Sequence, residues 1–212
     1  MIRAVLFDMD GLLLDTERVA MQTYQTVAKD LGLDFDLEGF RQLVGLNAKS
    51  GIEMFRKVFP TADHKTFNQA WNREYERLLV TDIPIRPMVR EVLALIDLPK
   101  AVVTSSKRSN ALKKLDATGL LHHFEHVVGG DDVANGKPHP EPYQTGARKL
   151  GLAAQDCVAF EDSENGTRSA YAAGCRTIQI PDIFAPTEAF MAHGHTIADD
   201  LMVGARLAGL IK

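Results

Sequence analysis

The feature that most restricts the fold of this chain is an apolar run, Ala4–Phe7, that ends in two aspartates, Asp8 and Asp10. Such a short, β-prone run predicts a strand that is buried on both faces. Carboxylates at the end of a buried strand are costly unless donors or a cation meet them, and two of them raise each other's pKa. A divalent ion such as Mg²⁺ would compensate the charge, and Gly11 would let the chain turn sharply there. The alternative is an ordinary Asp-Gly turn in which Asp8 only accepts hydrogen bonds.

The composition is that of an ordinary globular protein. With 212 residues, 45% of them apolar and 25% charged, the chain fits one large domain or a core with a subdomain. A net charge of −4 gives no footprint for nucleic acid or an anionic membrane. Residues 1–3 lead directly into the first strand and no apolar run is long enough to span a bilayer, so we expect a cytoplasmic protein. Cys157 and Cys175 lie in apolar segments and are expected to be reduced core residues.

The chain after Gly11 shows helical patterning without a strand candidate. Asp15 or Thr16 is a suitable N-cap for the first helix, and Gly32 suits the position just after its end. Three more helices are expected at 38–43, 50–58 and 66–79. The two prolines of Ile83–Pro87 mark the return to the β-rich part. We therefore expect a core formed by residues 1–15 and 86–212 and a small all-helical cap formed by residues 16–85.

Strands and helices alternate in the second half of the chain. Strands are predicted at 100–104, 126–128, 157–160 and 177–180. Helices are predicted at 88–96, 109–118, 140–150 and 163–173. This alternation predicts an α/β fold, a doubly wound, Rossmann-like parallel sheet with helices on both faces. Ligands of such sheets bind outside the carboxyl ends of the strands.

Three further polar segments follow predicted strands. The hydroxyl and N–H groups of Thr104–Lys107 suit phosphate oxygens, although such residues also cap helices. Lys137 lies in a loop stiffened by three prolines and would offer a fixed positive charge, unless it is a solvated surface lysine. Glu161 and Asp162 are a second pair of possible metal ligands, although Asp162 alone suits a helix N-cap. Together with the first aspartates, these segments predict a site for phosphoryl chemistry.

The order of these motifs is similar to that of the haloacid dehalogenase superfamily over essentially the whole chain. The four matching motifs are Asp8-x-Asp10-Gly11, Thr104, Lys137-Pro138 and Glu161-Asp162. The helical insertion after the first motif resembles the subfamily with a helical cap, which includes β-phosphoglucomutases and small sugar-phosphate phosphatases. The resemblance therefore implies a Mg²⁺-dependent enzyme that acts on a small phosphorylated metabolite.

The resemblance also implies roles for individual residues. Asp8 would be the nucleophile that forms an aspartyl-phosphate, and Asp10 the acid for the leaving alcohol and then the base for water. Thr104 and Lys137 would bind the transferred phosphoryl group. Mg²⁺ would be held by Asp8, the backbone carbonyl of Asp10, Asp162 and, directly or through water, Glu161. Because Asp10 must carry a proton while Asp8 is kept ionised by the metal, we expect Asp10 to have the higher pKa.

Hydrolysis is favoured over a mutase reaction. In β-phosphoglucomutases a histidine follows the first motif and an arginine follows a cap glycine, whereas the comparable residues here are Ala20 and Ala48. Trp71 and Tyr75, at helical spacing, are predicted to be core residues. The residues expected to bind substrate are Gly11, Glu17, Gly45, Asn47, Lys49, Ser105, Ser106 and Lys107.

Other readings of the same motifs are weaker. A metal-independent dehalogenase would also use Asp8, but the dehalogenases that the chain resembles lack an acid at the position of Asp10. A phosphoacceptor signalling domain would have no reason for so large a helical insertion. We expect a monomer or weak homodimer without nucleic-acid or membrane partners.

Overall fold

The computed structural model describes all residues except 45, 47, 61, 80–82 and 192–194, and it does not describe the side chains of residues 48, 49 and 189. Its centre is a sheet of six parallel strands in the order β3-β2-β1-β4-β5-β6. The strands are β1 (Ala4–Phe7), β2 (Lys100–Val103), β3 (His126–Val128), β4 (Cys157–Glu161), β5 (Arg176–Gln179) and β6 (Thr196–Ile197). The predicted α/β fold is thereby confirmed.

Ten helices are found in the described part of the chain. They are α1 (Thr16–Asp30), α2 (Leu37–Leu43), α3 (Ala48–Val58), α4 (His64–Leu79), α5 (Val89–Leu95), α6 (Arg108–Ala117), α7 (Glu141–Lys149), α8 (Glu164–Ala173), α9 (Glu188–Met191) and α10 (Leu201–Leu207). Short 3₁₀ turns cover Leu121–His123 and Ala154–Asp156. The predicted elements agree with these bounds to within one or two residues. No helix or strand was predicted after Ile180. The elements found there, α9, β6 and α10, are short.

The hydrophobic core lies on both faces of the sheet, because successive side chains of a strand point to opposite sides. Val5 and Phe7 belong to the cluster shared with α5 and α10, whereas Ala4 and Leu6 belong to the cluster shared with α7 and α8. All four side chains of β1 are fully buried, which follows from its central place between β2 and β4. The carboxyl end of β1 therefore opens next to the carboxyl ends of both neighbours.

The insertion of α1–α4 has its own aromatic cluster. The ring of Tyr24 lies at its centre, with ring centroids 4.7 Å from Phe67 and 5.1 Å from Phe40. The two connections to the sheet run side by side, since Leu14 and Ile85 form an antiparallel bridge. Both connections therefore meet the core at one point, beside the end of β1.

The two cysteines and the ends of α1 agree with the sequence pattern. Cys157 and Cys175 are buried and form no disulfide, as predicted. Asp15 precedes α1, and Gly32 follows it with a φ of +67°, which suits glycine. Within the described ranges, the helices lack the length and apolar character needed to cross a membrane.

Candidate active site

Acidic side chains from two strands meet at the carboxyl edge of the sheet. Asp8 directly follows β1, and its backbone N–H donates to the carbonyl of Phe160 in β4 at 3.0 Å. Glu161 ends β4 and Asp162 follows it. One carboxylate oxygen from each of Asp8, Glu161 and Asp162 lies within 4.8 Å of the others, and all three residues are buried. The structure thus brings together the acids that the two motifs placed at strand ends.

Lys137 is the positive charge at the centre of this cluster. Its side chain is only 2% exposed, so the alternative of a solvated surface lysine is wrong. The ammonium lies 2.5 Å from Asp8 Oδ1 and 2.5 Å from Glu161 Oε1, and it also donates to the carbonyl of Val103 at 2.9 Å. Burial alone would lower the pKa of Lys137, but the two carboxylates outweigh it and raise the pKa, so the ammonium stays charged.

Glu161 acts mainly as the support of Lys137. Its Oε1 accepts from Lys137 and, at 2.6 Å, from the hydroxyl of Tyr143, while its Oε2 accepts from the Asp162 N–H at 3.2 Å. A side chain at Gly166 would overlap the Glu161 carboxylate, so α8 approaches it closely. Tyr143 was not identified from the sequence, because a buried tyrosine on a helix carries no signal of which polar group its hydroxyl meets.

Asp162 stands beside Gly11 rather than at the cap of α8. The N-cap is Ser163, whose Oγ accepts from the Gly166 N–H at 3.1 Å, so the N-cap alternative for Asp162 is wrong. Gly11 has a φ of +89°, and a Cβ there would overlap the Asp162 carboxylate. Burial, followed by the charges of Asp8 and Glu161, raises the pKa of Asp162 well above its usual value.

The donor set fits a hard divalent cation. Of these three buried carboxylates, those of Asp8 and Glu161 pair with the Lys137 ammonium, so the cluster as a whole has more carboxylates than cations. Burial also raises the pKa of Asp8, and the neighbouring Glu161 adds to this rise even though Lys137 opposes it. Carboxylate oxygens are the ligands that Mg²⁺ prefers, and a cation beside Asp8 and Asp162 would relieve the repulsion between them.

Asp10 is surrounded by hydrogen-bond donors. Its Oδ1 accepts from Thr16 Oγ1 and from the Lys114 ammonium, each at 2.6 Å. Its Oδ2 accepts from Ser106 Oγ at 2.8 Å and faces Thr104 Oγ1 at 3.4 Å. Thr16 is therefore a partner of Asp10, and both oxygens of the Asp10 carboxylate are held.

Without a bound metal, the two aspartates have a pKa order opposite to the one expected with Mg²⁺ bound. Burial would raise the pKa of Asp10, but Lys114, with the hydroxyls of Thr16 and Ser106, outweighs it and lowers the pKa. The pKa of Asp8 is raised instead. The physical reason is Lys114, a cation that the sequence analysis did not place in the site.

The loop after β2 brings the hydroxyls of Thr104 and Ser106 to Asp10. Thr104 is buried, its Oγ1 accepts from the Ser106 N–H at 3.1 Å, and both residues reach Asp10. Ser105 is half-buried, and its carbonyl lies close to Gly130. Lys107 is exposed just before α6 and is not brought to the acidic cluster.

The predicted substrate residues of the insertion are described only in part. Glu17 lies beside Gly11, and burial together with the carboxylates of Asp10 and Asp8 raises the pKa of Glu17 to about 8. Gly45 and Asn47 lie outside the described residues, and so does the side chain of Lys49, although its backbone is in α3.

Lys114 and Tyr75 connect the core to the insertion. The Lys114 ammonium also donates to the Tyr75 hydroxyl at 3.2 Å. Tyr75 and Trp71 pack against the aromatic cluster, as predicted. Lys114 could have been noticed from its spacing, because it shares a face of α6 with the buried Ala111 and Leu115.

Comparison with known proteins identifies the family. The family model for haloacid dehalogenase-like hydrolases matches residues 5–180. This chain belongs to the haloacid dehalogenase-like hydrolases. The resemblance inferred from the four motifs is thereby confirmed, and the protein is a hydrolase of this family.

Several relatives of this hydrolase are phosphatases by name. It is 32% identical to the phosphorylated carbohydrates phosphatase of Thermotoga maritima over 181 residues, and this matched region covers 84% of each chain. It is 29% identical over 181 residues to the fructose-1-phosphate phosphatase YqaB of Escherichia coli, covering 83% of this chain and 95% of the relative. The crystal structure of CbbY from Rhodobacter sphaeroides in complex with phosphate is similar, with a TM-score of 0.80, 29% identity and 99% of both chains covered.

Proposed function

We propose that this protein is a Mg²⁺-dependent phosphatase that hydrolyses a small phosphorylated carbohydrate through an aspartyl-phosphate on Asp8. The observation that carries the proposal is the convergence of Asp8, Lys137 and Asp162 in one buried cluster at the carboxyl edge of the sheet. The named activities of the Thermotoga and Escherichia relatives support the substrate class.

The first displacement uses Asp8 as the nucleophile. A phosphate ester dianion repels a carboxylate, so positive charge must stand beside the nucleophile before it attacks. Lys137 supplies this charge at 2.5 Å from Asp8 Oδ1. The Glu161 carboxylate also pairs with the Lys137 ammonium and fixes its position. Thr104, at the end of β2, provides a hydroxyl for the phosphoryl oxygens. Covalent transfer to Asp8 divides hydrolysis into two easier displacements.

Asp10 moves the proton in both displacements. In the first, it gives a proton to the alcohol oxygen as the ester bond breaks. In the second, it takes a proton from the water that attacks the phosphorus of the aspartyl-phosphate and frees Asp8. The hydroxyls of Thr16 and Ser106 suit both states of Asp10, because a hydroxyl can donate to a carboxylate and accept from a carboxylic acid.

Mg²⁺ would be held by the carboxylates of Asp8 and Asp162 and by the backbone carbonyl of Asp10. When bound, it neutralises negative charge on the phosphoryl oxygens and on Asp8. Glu161 is a weaker candidate for a direct ligand, since its Oε1 already accepts from Lys137 and Tyr143 and its Oε2 from the Asp162 N–H.

Residues 16–85 are proposed to be a cap that covers this site. Their four helices share an aromatic cluster, and both connections to the core pass beside the end of β1. A cap that closes during the first transfer would exclude water from the aspartyl-phosphate and contact the sugar. At the position where a mutase would need a histidine, Ala20 is buried and its carbonyl accepts from Trp71 Nε1 at 3.2 Å. This arrangement favours hydrolysis.

The test is a phosphate-release screen over phosphorylated carbohydrates, with and without Mg²⁺, for the wild type and the Asp8→Asn variant. We expect Mg²⁺-dependent release that a chelator abolishes, and a folded Asp8→Asn variant whose activity is at least about a thousandfold lower. Asp116→Asn, at an exposed aspartate of α6, is the matched control and should keep wild-type activity.

Three outcomes would contradict the proposal. Substantial hydrolysis by Asp8→Asn would remove the covalent mechanism. Full activity in the chelator would show that hydrolysis does not require Mg²⁺. Interconversion of glucose 1-phosphate and glucose 6-phosphate with little free phosphate would identify a mutase instead.

A further inference from the structure

Lys114 is a largely buried cation whose role neither the motifs nor the relatives' names indicate. Its side chain is 13% exposed and extends from α6 to the acid of the first motif, Asp10. The preceding residue, Lys113, is exposed on the same helix. The two adjacent lysines therefore have different surroundings, and only one of them reaches the site.

The contacts of Asp10 divide between its two oxygens. Lys114 and Thr16 both donate to Oδ1 at 2.6 Å, from α6 and from the first residue of α1. Oδ2 faces the loop after β2, with Ser106 at 2.8 Å and Thr104 at 3.4 Å. Two short bonds on Oδ1 restrict rotation of the carboxylate and keep Oδ2 directed at the hydroxyl proposed to bind the phosphoryl group. Oδ2 is therefore the oxygen placed to exchange a proton with the leaving alcohol.

The other side of Lys114 meets the insertion. Its ammonium donates to the hydroxyl of Tyr75 on α4 at 3.2 Å and lies 5.4 Å from the centre of the Tyr75 ring. One helical turn earlier, Trp71 attaches α4 to α1 by donating to Thr23 Oγ1 at 2.9 Å. The Lys114 ammonium is therefore linked to the position of α4 through Tyr75.

We propose that Lys114 is a positioning residue for Asp10, and that Tyr75 of the insertion holds Lys114 in place. The inference rests on the proposed phosphatase function. Lys114 fixes the orientation of the proton-donating carboxyl group without touching the phosphoryl group, and it makes this orientation depend on the placement of α4. A lysine is suited to this task, because its ammonium has three donors and can serve Asp10 and Tyr75 at once.

The test compares two esters that differ in their need for a proton donor. The alcohol of fructose 1-phosphate is a poor leaving group and needs a proton as the ester bond breaks. In 4-nitrophenyl phosphate the leaving group is 4-nitrophenolate, which departs without a proton. The quantity to measure is kcat/KM, which covers the steps up to release of the alcohol. The variants are Lys114→Met, Lys114→Arg and Tyr75→Phe, with Lys113→Met as the matched control. Thermal unfolding of each variant checks that it is folded.

We expect Lys114→Met to lower kcat/KM about thirtyfold for fructose 1-phosphate, a part of the whole contribution of a general acid, and less than about twofold for the aryl ester. Lys114→Arg should recover part of the loss. Tyr75→Phe should cost about threefold on fructose 1-phosphate alone, since it removes one hydrogen bond. Lys113→Met should match the wild type on both esters.

Equal losses on both esters in Lys114→Met would show a general structural or electrostatic role, and an unchanged rate on fructose 1-phosphate would show no role. Either result would overturn the proposal while leaving the phosphatase function in place. If the wild type hydrolysed the aryl ester but none of the sugar phosphates in the screen, the role of Asp10 as an acid would be contradicted and, with it, that of Lys114. A wild type that released phosphate from neither the aryl ester nor any sugar phosphate of the screen with Mg²⁺ would contradict the proposed function itself.

Discussion

The sheet core and the helical insertion bury different kinds of side chains. Among the described residues, the buried charged groups are Asp8, Lys137, Glu161 and Asp162, and all of them belong to the core. The interior of the insertion consists largely of aromatic rings packed around Tyr24. Among its described residues, the buried polar side chains are Thr16 and Thr23. Both regions therefore bury apolar side chains, but among the described residues only the core also buries charged groups.

Under the proposed function, this difference would separate chemistry from selectivity. A charge inside the core is tolerated only where partners are fixed within hydrogen-bond distance. Asp8 follows β1, and the Lys137 ammonium is held by Asp8, Glu161 and the Val103 carbonyl. Aromatic packing tolerates other rings of similar volume, so the insertion can vary without disturbing the acid cluster. The core would keep the reaction constant, and the insertion would set which sugar is accepted.

The largest effect on stability is expected from Lys137→Met. The change leaves Asp8 and Glu161 buried without their shared cation, so it should lower the free energy of unfolding by about 3–5 kcal/mol and abolish phosphatase activity. Urea unfolding followed by circular dichroism measures the stability. The exposed control Lys113→Met should stay within about 0.5 kcal/mol of the wild type. A loss below about 1 kcal/mol in Lys137→Met would mean that the core does not depend on this ion-pair cluster.

The second prediction tests whether the insertion is a separate folding unit. Phe67→Ala leaves a cavity among the rings around Tyr24 and should cost about 3–4 kcal/mol. Hydrogen exchange should show lost protection in α1–α4 while the amides of β1 and β4 stay protected. Phe160→Ala, in the core, should instead reduce protection across the sheet. Equal loss in both regions for Phe67→Ala would show one cooperative unit.

A smaller effect is expected at Glu17, where the insertion meets the core acids. Its pKa is about 8 in the folded protein, against 4.5 for the ordinary side chain. Between these values the folded state keeps a proton that the unfolded state has lost, so stability falls as pH rises through this window. In a chelator, Glu17→Gln should reduce the fall in stability between about pH 5 and about pH 8 by about 3 kcal/mol. An unchanged pH profile, equal to that of the exposed control Glu76→Gln, would place Glu17 outside the acid cluster.

The same contrast explains what could be predicted from the sequence. The strands and the residues at their ends were predictable, because a buried strand must be apolar and Asp8 or Glu161 at its end then stands out. The insertion's helices were predictable from their period, but its substrate contacts were not, because specificity depends on side-chain positions that periodicity does not encode. Tyr143 and Lys114 were missed for a related reason. The hydroxyl partner of a buried helical tyrosine leaves no pattern in one sequence, and the spacing of Lys114 with Ala111 and Leu115 indicates its burial but not its partner.

The central claim is that Asp8 itself accepts the phosphoryl group. The most direct measurement is to quench the enzyme during turnover with borohydride, which reduces an acyl phosphate to an alcohol, and to locate the modified residue by peptide mass spectrometry. The account predicts that residue 8 is reduced to homoserine in the presence of substrate and Mg²⁺, and that it is unmodified when substrate is left out. Rapid turnover with an unmodified Asp8, or modification at another acid, would contradict it.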